Sequence, residues 1–448
     1  MTVRHREVPR RRLVSVGLAV CLLAACTDAP RAGKHVADGG PGAAIDASAD
    51  ASDGARPDGS PARPDAGEPS WDAGTTLAFE KTTLTEAFHA EGAAIGDLDR
   101  DGAADVVSGP YWYAGPDFSV RHELYAPRVF DPKGYSDNFF AFTRDLDGDG
   151  WLDVLVVDFP GTRAYWLENP GPPAAGSAWA SHPVLAAVDT ESPTYADITG
   201  DGVPELVAGN GGYLGWATPD PADPKLPWVF HRASAEGQYR AFTHGFGVGD
   251  LDGDGRVDLL EARGAWLQPA SISGDPQWTR VDADFGPGGG QMFTLDVDGD
   301  GDRDVVTTLE AHGWGLAWYE QTGGAGARRF EQRVIVPQRP PTAGEPEMFE
   351  PHALAVVDMN LDGLPDLVSG ARFWAHVPQG DPDFGAPAQL YWFELQRSGG
   401  QVRWLPHLID DASGVGTQLT VGDVDGDGRP DIVPANKRGA FVFRQLAP

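Results

Sequence analysis

From about residue 76 onward the chain is a succession of short apolar runs separated by clusters of aspartate and glycine. A run such as "GFGVG" or "QLTVG" precedes an acidic cluster, and another such as "DVVSG", "DVLVV", "ELVAG" or "DIVPA" follows it. An aromatic run comes next ("YWYAG", "AYWLENP", "LAWYEQ", "LYWFELQ"), and most units close on a fourth stretch such as "VRHELY", "WVFHRAS" or "RWLPHLI". Runs of this length, rich in β-branched and aromatic residues and bounded by turn residues, predict four short strands per unit. The units recur at intervals of 46 to 65 residues, the range of repeat architectures. Strands in fours at this period predict the blades of a propeller, whose circular closure removes long exposed edges. The last unit ends in "AFVFRQLAP" without a fourth strand, whereas "LAFEKTTL", Leu77 to Leu84, has no unit of its own. The expected fold is all-β: a seven-bladed β-propeller over residues 76–448, closed by pairing of its N- and C-terminal strands.

The acidic clusters fall at the turn after the first strand of each unit, and they begin at Asp97, Asp145, Asp197, Asp250, Asp296, Asp358 and Asp423. In "DLDGDGRVD", Asp250, Asp252 and Asp254 alternate with residues that point away, so three carboxylates converge. Gly255 takes the sharp turn, where positive φ costs least without a Cβ, and Asp258 follows at position nine. The same positions are Asp97, Asp99, Asp101 and Asp105 in the first loop and Asp145, Asp147, Asp149 and Asp153 in the second. They are Asp197, Asp201 and Glu205 in the third, and Asp296, Asp298, Asp300 and Asp304 in the fifth. The sixth has Asp358, Asn360, Asp362 and Asp366, and the seventh Asp423, Asp425, Asp427 and Asp431. An all-oxygen set suits a hard cation, Ca²⁺ before Mg²⁺. An EF-hand is excluded, because its loop ends on a bidentate Glu between two helices. Glu261 holds that twelfth position in one loop, but Ser108, Val156, Ala208, Thr307, Ser369 and Pro434 hold it in the others.

The acidic loops change how the charge is read. The formal net charge of −32 is mostly a metal-site signature, since the loops carry 26 carboxylates at ligand positions, and it makes nucleic acid an unfavourable partner. The N-terminal 25 residues, Arg-rich and then apolar from Leu13 to Ala25, read as an export signal rather than a membrane span. "LAAC" ends on Cys26, the expected lipidated residue of a bacterial lipoprotein, held on the membrane by its acyl chains. Cys21 leaves with the signal, so no disulfide is expected. Residues 26–75, dominated by Ala, Asp, Gly, Pro and Ser, have almost nothing to bury and read as a disordered tether.

The acidic loops at blade spacing resemble the FG-GAP and VCBS repeats of integrin-α-like propellers, across nearly all of 76–448. The resemblance implies several structural Ca²⁺ ions bound by the loop carboxylates. It implies weaker sites in the third loop, with Thr199 and Glu205 in place of Asp, and in the sixth, with Asn360. Known FG-GAP lipoproteins of bacteria look similar and imply a monomer at the outer membrane or cell surface. More distantly, the arrangement is similar to the propeller of aldos-2-ulose dehydratases, which eliminate water from oxidised sugars with bound metal.

Sorting the histidines by strand position exposes a second candidate site. His122, His182, His231 and His407 fall in fourth strands, where a structural role is expected. His89, His244, His312, His352 and His376 fall on connections that map to the face opposite the acidic loops. So do Gln291, Glu310, Trp314, Glu350, Arg372, Trp374, Gln418, Asn436 and Lys437. Such a face can take an additional divalent transition metal through imidazole and carboxylate, or a polyhydroxylated ligand through amides, cations and Trp314 or Trp374. Three functions follow. The first is binding of a glycan or surface protein by this face. The second, implied by the dehydratase resemblance, is a sugar lyase or isomerase, with His312 or His352 as base or metal ligand and Lys437 or Arg372 stabilising an enolate. The third is a structural module whose ligands are calcium ions alone. A nucleophile triad, a phosphate loop and a zinc-protease helix are absent from the sequence.

Overall fold

The computed structural model describes residues 71–171, 178–237, 239–324, 326–373, 375–376 and 385–447, together with the backbone of Leu22 and Leu23. The expected lipidation site Cys26, the rest of the signal and tether up to residue 70, and Trp374 lie outside the described residues. Among the described residues there are strands and turns but no helix, and so none long and apolar enough to cross a membrane.

Each acidic loop joins the first two strands of an antiparallel meander, as the sequence pattern predicts. The first meander is Ala94–Gly96, Asp105–Ser108, Tyr111–Ala114 and Val120–Glu123. The second strands are buried along all of their length, as in Asp153–Val157 and Asp366–Gly370, or all but the last residue, because each sheet is stacked between two others. The fourth strands carry exposed positions, as in Arg329–Val336. The core therefore lies between sheets. Val107 and Trp112 of one sheet pack with Val154, Val156 and Tyr165 of the next.

The chain ends pair as expected: Phe79–Thr85 runs antiparallel to Gly439–Gln445 and supplies the missing fourth strand. The tether expectation extends a few residues too far. Thr75 N–H donates to Glu394 Oε2 at 2.9 Å, and the Arg403 guanidinium lies 5.1 Å from the Trp71 ring, so this stretch is fastened to the strand pair Leu390–Ser398 and Gln401–Asp410. Leu22–Leu23 add a short fifth strand against Ala353 and Leu354.

The arrangement is propeller-like, but strand pairing gives six sheets rather than seven separate ones. Five are of the blade type, and the sixth has eight strands because Phe246–Val248 pairs in parallel with Gln291–Phe293 of the following meander. Glycine is the reason. A Cβ on Gly247 would sit 2.0 Å from the Met292 carbonyl oxygen, and one on Gly249 would sit 2.2 Å from Thr294 Oγ1. Without them the two inner strands close to hydrogen-bonding distance. Gly247→Ala is expected to force them apart and cost about 1–3 kcal/mol, the usual penalty of overpacking. A denaturant midpoint equal to that of the wild type would refute this account of the merged sheet.

Candidate functional site

The first candidate site is the acidic loop. Its position-nine carboxylate is buried in every copy and is held by backbone. Leu251 N–H and Gln268 N–H donate to the two oxygens of Asp258, each at 2.8 Å. Asp105, Asp153, Asp304, Asp366 and Asp431 repeat this, each clamping the second residue of its own loop and a residue on the third strand or just past it. Glu205 keeps the first half of the clamp, at Ile198, and turns its second oxygen to the Thr199 hydroxyl. The position-one carboxylate closes the turn instead; Asp423 accepts from Gly426, Asp427 and Gly428 N–H.

Ligand atoms of Asp97, Asp99 and Asp101, of Asp145, Asp147 and Asp153, of Asp197, Asp201 and Glu205, and of Asp250, Asp252 and Asp254 each lie within 4.8 Å of one another. Burial pushes Asp153, Asp304 and Asp366 up to about 7, and the neighbouring loop carboxylates add to the shift. This donor set fits a hard cation, whose charge would relieve the crowding. One feature escaped the sequence reading: Arg256 and Arg429, at position seven, turn their guanidinium groups back onto Asp254 and Asp427. In those two loops a side-chain cation already neutralises part of the set.

The fourth-strand histidines are structural. His122, His182, His231 and His407 pair across the ladder with Trp112, Trp166, Trp216 and Trp392, with ring centroids 4.2 to 5.2 Å apart. Arg280 on Trp266 takes the same register, with its guanidinium carbon 5.2 Å from the ring.

The second candidate site lies on the opposite face. His244, Glu350 and His352 stand on the connections that enter first strands, and His312 and His376 on connections between second and third strands. Four separate segments therefore meet, Glu350 and His352 sharing one of them. Ring centroids are 5.0 Å apart for His244 and His312, 5.0 Å for His312 and His352, and 4.7 Å for His312 and His376. Ligand atoms of His312, Glu350 and His376 lie within 4.8 Å of one another. Glu350 is fully buried and sits at φ +48°, in the left-handed region that residues with a Cβ avoid. One of its oxygens accepts from Ala375 N–H at 2.7 Å, and the other lies 3.7 Å from His312 Nδ1.

Burial and the nearby Arg372 cation hold His352 well below the ordinary imidazole range. Burial does the same for His244, lowered to about 3, and for His312, lowered to about 2 with help from His244, His376 and Arg372. These rings are neutral and carry a lone pair at physiological pH.

Not every residue expected on this face belongs to the cluster. His89 sits apart, with Nδ1 2.6 Å from the Arg128 carbonyl and its ring edge-on to Tyr111. Gln291 and Gln418 do not point at a ligand site; each lays its amide along the neighbouring inner strand. Gln418 bonds both N–H and C=O of Ala141, and Gln291 bonds His352 O and Leu354 N–H. Asn436 holds its own turn through Ser413 O and Arg438 N–H. Glu310 accepts from Gln338 Nε2 at 3.0 Å. Trp314 is half-buried and bridged to Phe349, beside Glu350. Lys437 donates to the carbonyl of Ala375, whose N–H serves Glu350, so the two charged residues hold one residue from either side.

Arg372, only 1% exposed, is ion-paired with fully buried Glu91. Glu91 and the equally buried Glu191 were missed by sequence reasoning. The signal was present: six residues before the first aspartate of the loops stand Glu91, Phe139, Glu191, His244, Gly290, His352 and Thr417. That register position enters each inner strand on the same face.

Three segments match repeat families: residues 145–208 and 296–369 match the FG-GAP-like repeat, and 415–439 the FG-GAP repeat. The chain is thus an all-β, propeller-like protein in which these three segments match FG-GAP-type repeats. Among solved structures, the chain is similar to an Agrocybe aegerita lectin that recognises non-reducing terminal N-acetylglucosamine (17% identity over 83% of this chain and 86% of that one, TM-score 0.44). It is similar to the BP39L lectin from Burkholderia pseudomallei (15% identity, 80% and 96% covered, TM-score 0.44) and to a Bacillus licheniformis rhamnogalacturonan lyase (14% identity, 82% and 72% covered, TM-score 0.38). Nothing about ligand or chemistry transfers to this chain at such scores, and the dehydratase resemblance is carried by none of these matches. No curated protein matched the chain.

Proposed function

We propose that this is an exported, lipid-anchored, calcium-loaded propeller whose histidine-rich face binds a polyhydroxylated ligand such as a glycan. Counting each acidic loop as one blade, the eight-stranded sheet is two blades and the ring has seven. The observation that carries the reading is the meeting of His244, His312, His352 and His376 with Glu350 from separate connections. Packing alone does not require buried imidazoles and a carboxylate to converge at one point, and binding sites are where such groups are gathered. His312 and His376 are half-buried and reachable from solvent, and Trp314, on the same connection as His312, is half-buried too. The same groups suit a metal-assisted sugar lyase or isomerase, favoured by the neutral state of His312 and His352 that a base or ligand needs.

Glycan binding is tested by calorimetry or array binding with the full chain in calcium. His312→Ala and His376→Ala are expected to weaken binding about tenfold or more, while His407→Ala leaves it unchanged. Binding that survives both substitutions would move the site elsewhere. Conversion of the sugar, read by mass spectrometry as loss of water, would select the lyase. The calcium reading has its own check, motivated by the crowded loop carboxylates. Excess chelator is expected to lower the thermal midpoint by several degrees, and an unchanged midpoint would remove structural calcium from the account.

A further inference from the structure

We infer that His312, His376 and Glu350 bind one divalent first-row transition metal, with His352 as a buried fourth donor. The inference rests on the reading that this face is the functional site, and it names a cofactor for that site distinct from the loop calcium. The donor atoms of His312, Glu350 and His376 already lie within 4.8 Å of one another. Ligands at about 2.0–2.2 Å from one metal stand about 3–3.5 Å apart, so rotamer adjustments of two half-buried rings complete the approach. The carboxylate is the fixed member, held by the Ala375 N–H at one oxygen and by its left-handed backbone, with the other oxygen on the His312 side.

His352 supplies an independent observation. Its Nδ1 lies 2.8 Å from the Glu350 carbonyl oxygen, which can only accept, so Nδ1 carries the proton and Nε2 carries the lone pair. Nε2 is buried and has no hydrogen-bond partner among the described residues. A buried acceptor left without a donor is costly, and a metal ion is one way to satisfy it. A ligating imidazole whose other nitrogen donates to a carbonyl is the usual outer-shell arrangement of metal-bound histidine. His244 sits edge-on to His312, and its buried Nδ1 likewise has no partner among the described residues. The nearby Arg372 cation does not exclude a second positive charge, since Glu91 is paired with it.

Donor chemistry then separates the two kinds of site. The loops offer oxygen alone and suit Ca²⁺, whereas imidazoles with one carboxylate suit zinc, iron(II) or cobalt(II). Three or four protein donors leave a coordination position toward solvent for a ligand hydroxyl or carboxylate.

The test uses the full chain made without a histidine tag, stripped of metal, and titrated with cobalt(II) in millimolar calcium. One equivalent is expected to bind with the visible absorption of a low-coordinate nitrogen-containing site. His312→Ala and His376→Ala, both half-buried and tolerable to the fold, are expected to weaken it about tenfold or more; His89→Ala and His407→Ala are expected to leave it intact. No bound cobalt in excess calcium, or binding indifferent to His312 and His376, overturns the inference. Glycan binding without cobalt binding would overturn the metal and keep the function proposed above; the converse would keep the metal and remove the glycan.

Discussion

Arg372→Met is expected to lower stability by about 3–5 kcal/mol, read as a fall in denaturant midpoint at unchanged slope. The guanidinium is buried against the Glu91 carboxylate, and neither reaches solvent. Removing the cation leaves a carboxylate in a low-dielectric interior, the costly half of a buried pair. Glu191 shares the environment. Burial pushes its carboxyl well above the ordinary range, the Arg372 cation pulls it down and Glu91 pushes it up, so losing Arg372 leaves Glu191 protonated rather than charged. The double variant Glu91→Gln, Arg372→Met removes both charges and is expected to regain most of the loss. Equal damage in single and double variants would mean that the guanidinium acts by volume, not by charge.

The acidic loops give the second large effect, in which two aspartates five residues or fewer apart behave differently. Asp366→Ala is expected to cost about 3 kcal/mol even in excess chelator, because it strands the buried N–H groups of Met359 and Leu395, bonded at 3.0 and 2.8 Å. Asp362→Ala, at the exposed tip of the same loop, is expected to cost under about 1 kcal/mol in chelator and to reduce the stabilisation that calcium adds. Equal losses in chelator would show that the nine-position clamp is no more structural than the tip. The clamp also has a pH signature without calcium. Burial holds Asp366 up at about 7, above its ordinary 3.8. The folded state thus keeps a proton that the unfolded chain has lost, and this contribution is present below about pH 4 and lost as pH rises through 7.

Much of the fold was legible because strand, turn and loop signals are local. The acidic loop, its glycines and the apolar runs on either side recur often enough that the sequence states the repeat and the terminal pairing of Phe79–Thr85 with Gly439–Gln445. The six-sheet outcome was not legible, because Gly247 and Gly249 look like ordinary strand glycines until Met292 and Thr294 are placed against them. The histidine face was half legible. Strand direction sorts His244, His312, His352 and His376 onto one face, yet the same rule admits His89, Gln291 and Gln418, which the structure uses for packing and for bonds between sheets.

The sequence by itself determined the residue types and the face: acidic oxygen donors at one end of the inner strands, imidazoles at the other. Tertiary structure alone decided which of them meet. Glu350 reaches His312 and His376 because three connections from adjacent meanders fold over one point. Glu91 meets Arg372 across 281 residues of chain for the same reason. Position along a strand fixes a side chain's direction within two residues, but the distance between two connections depends on how the sheets stack, which no local pattern encodes.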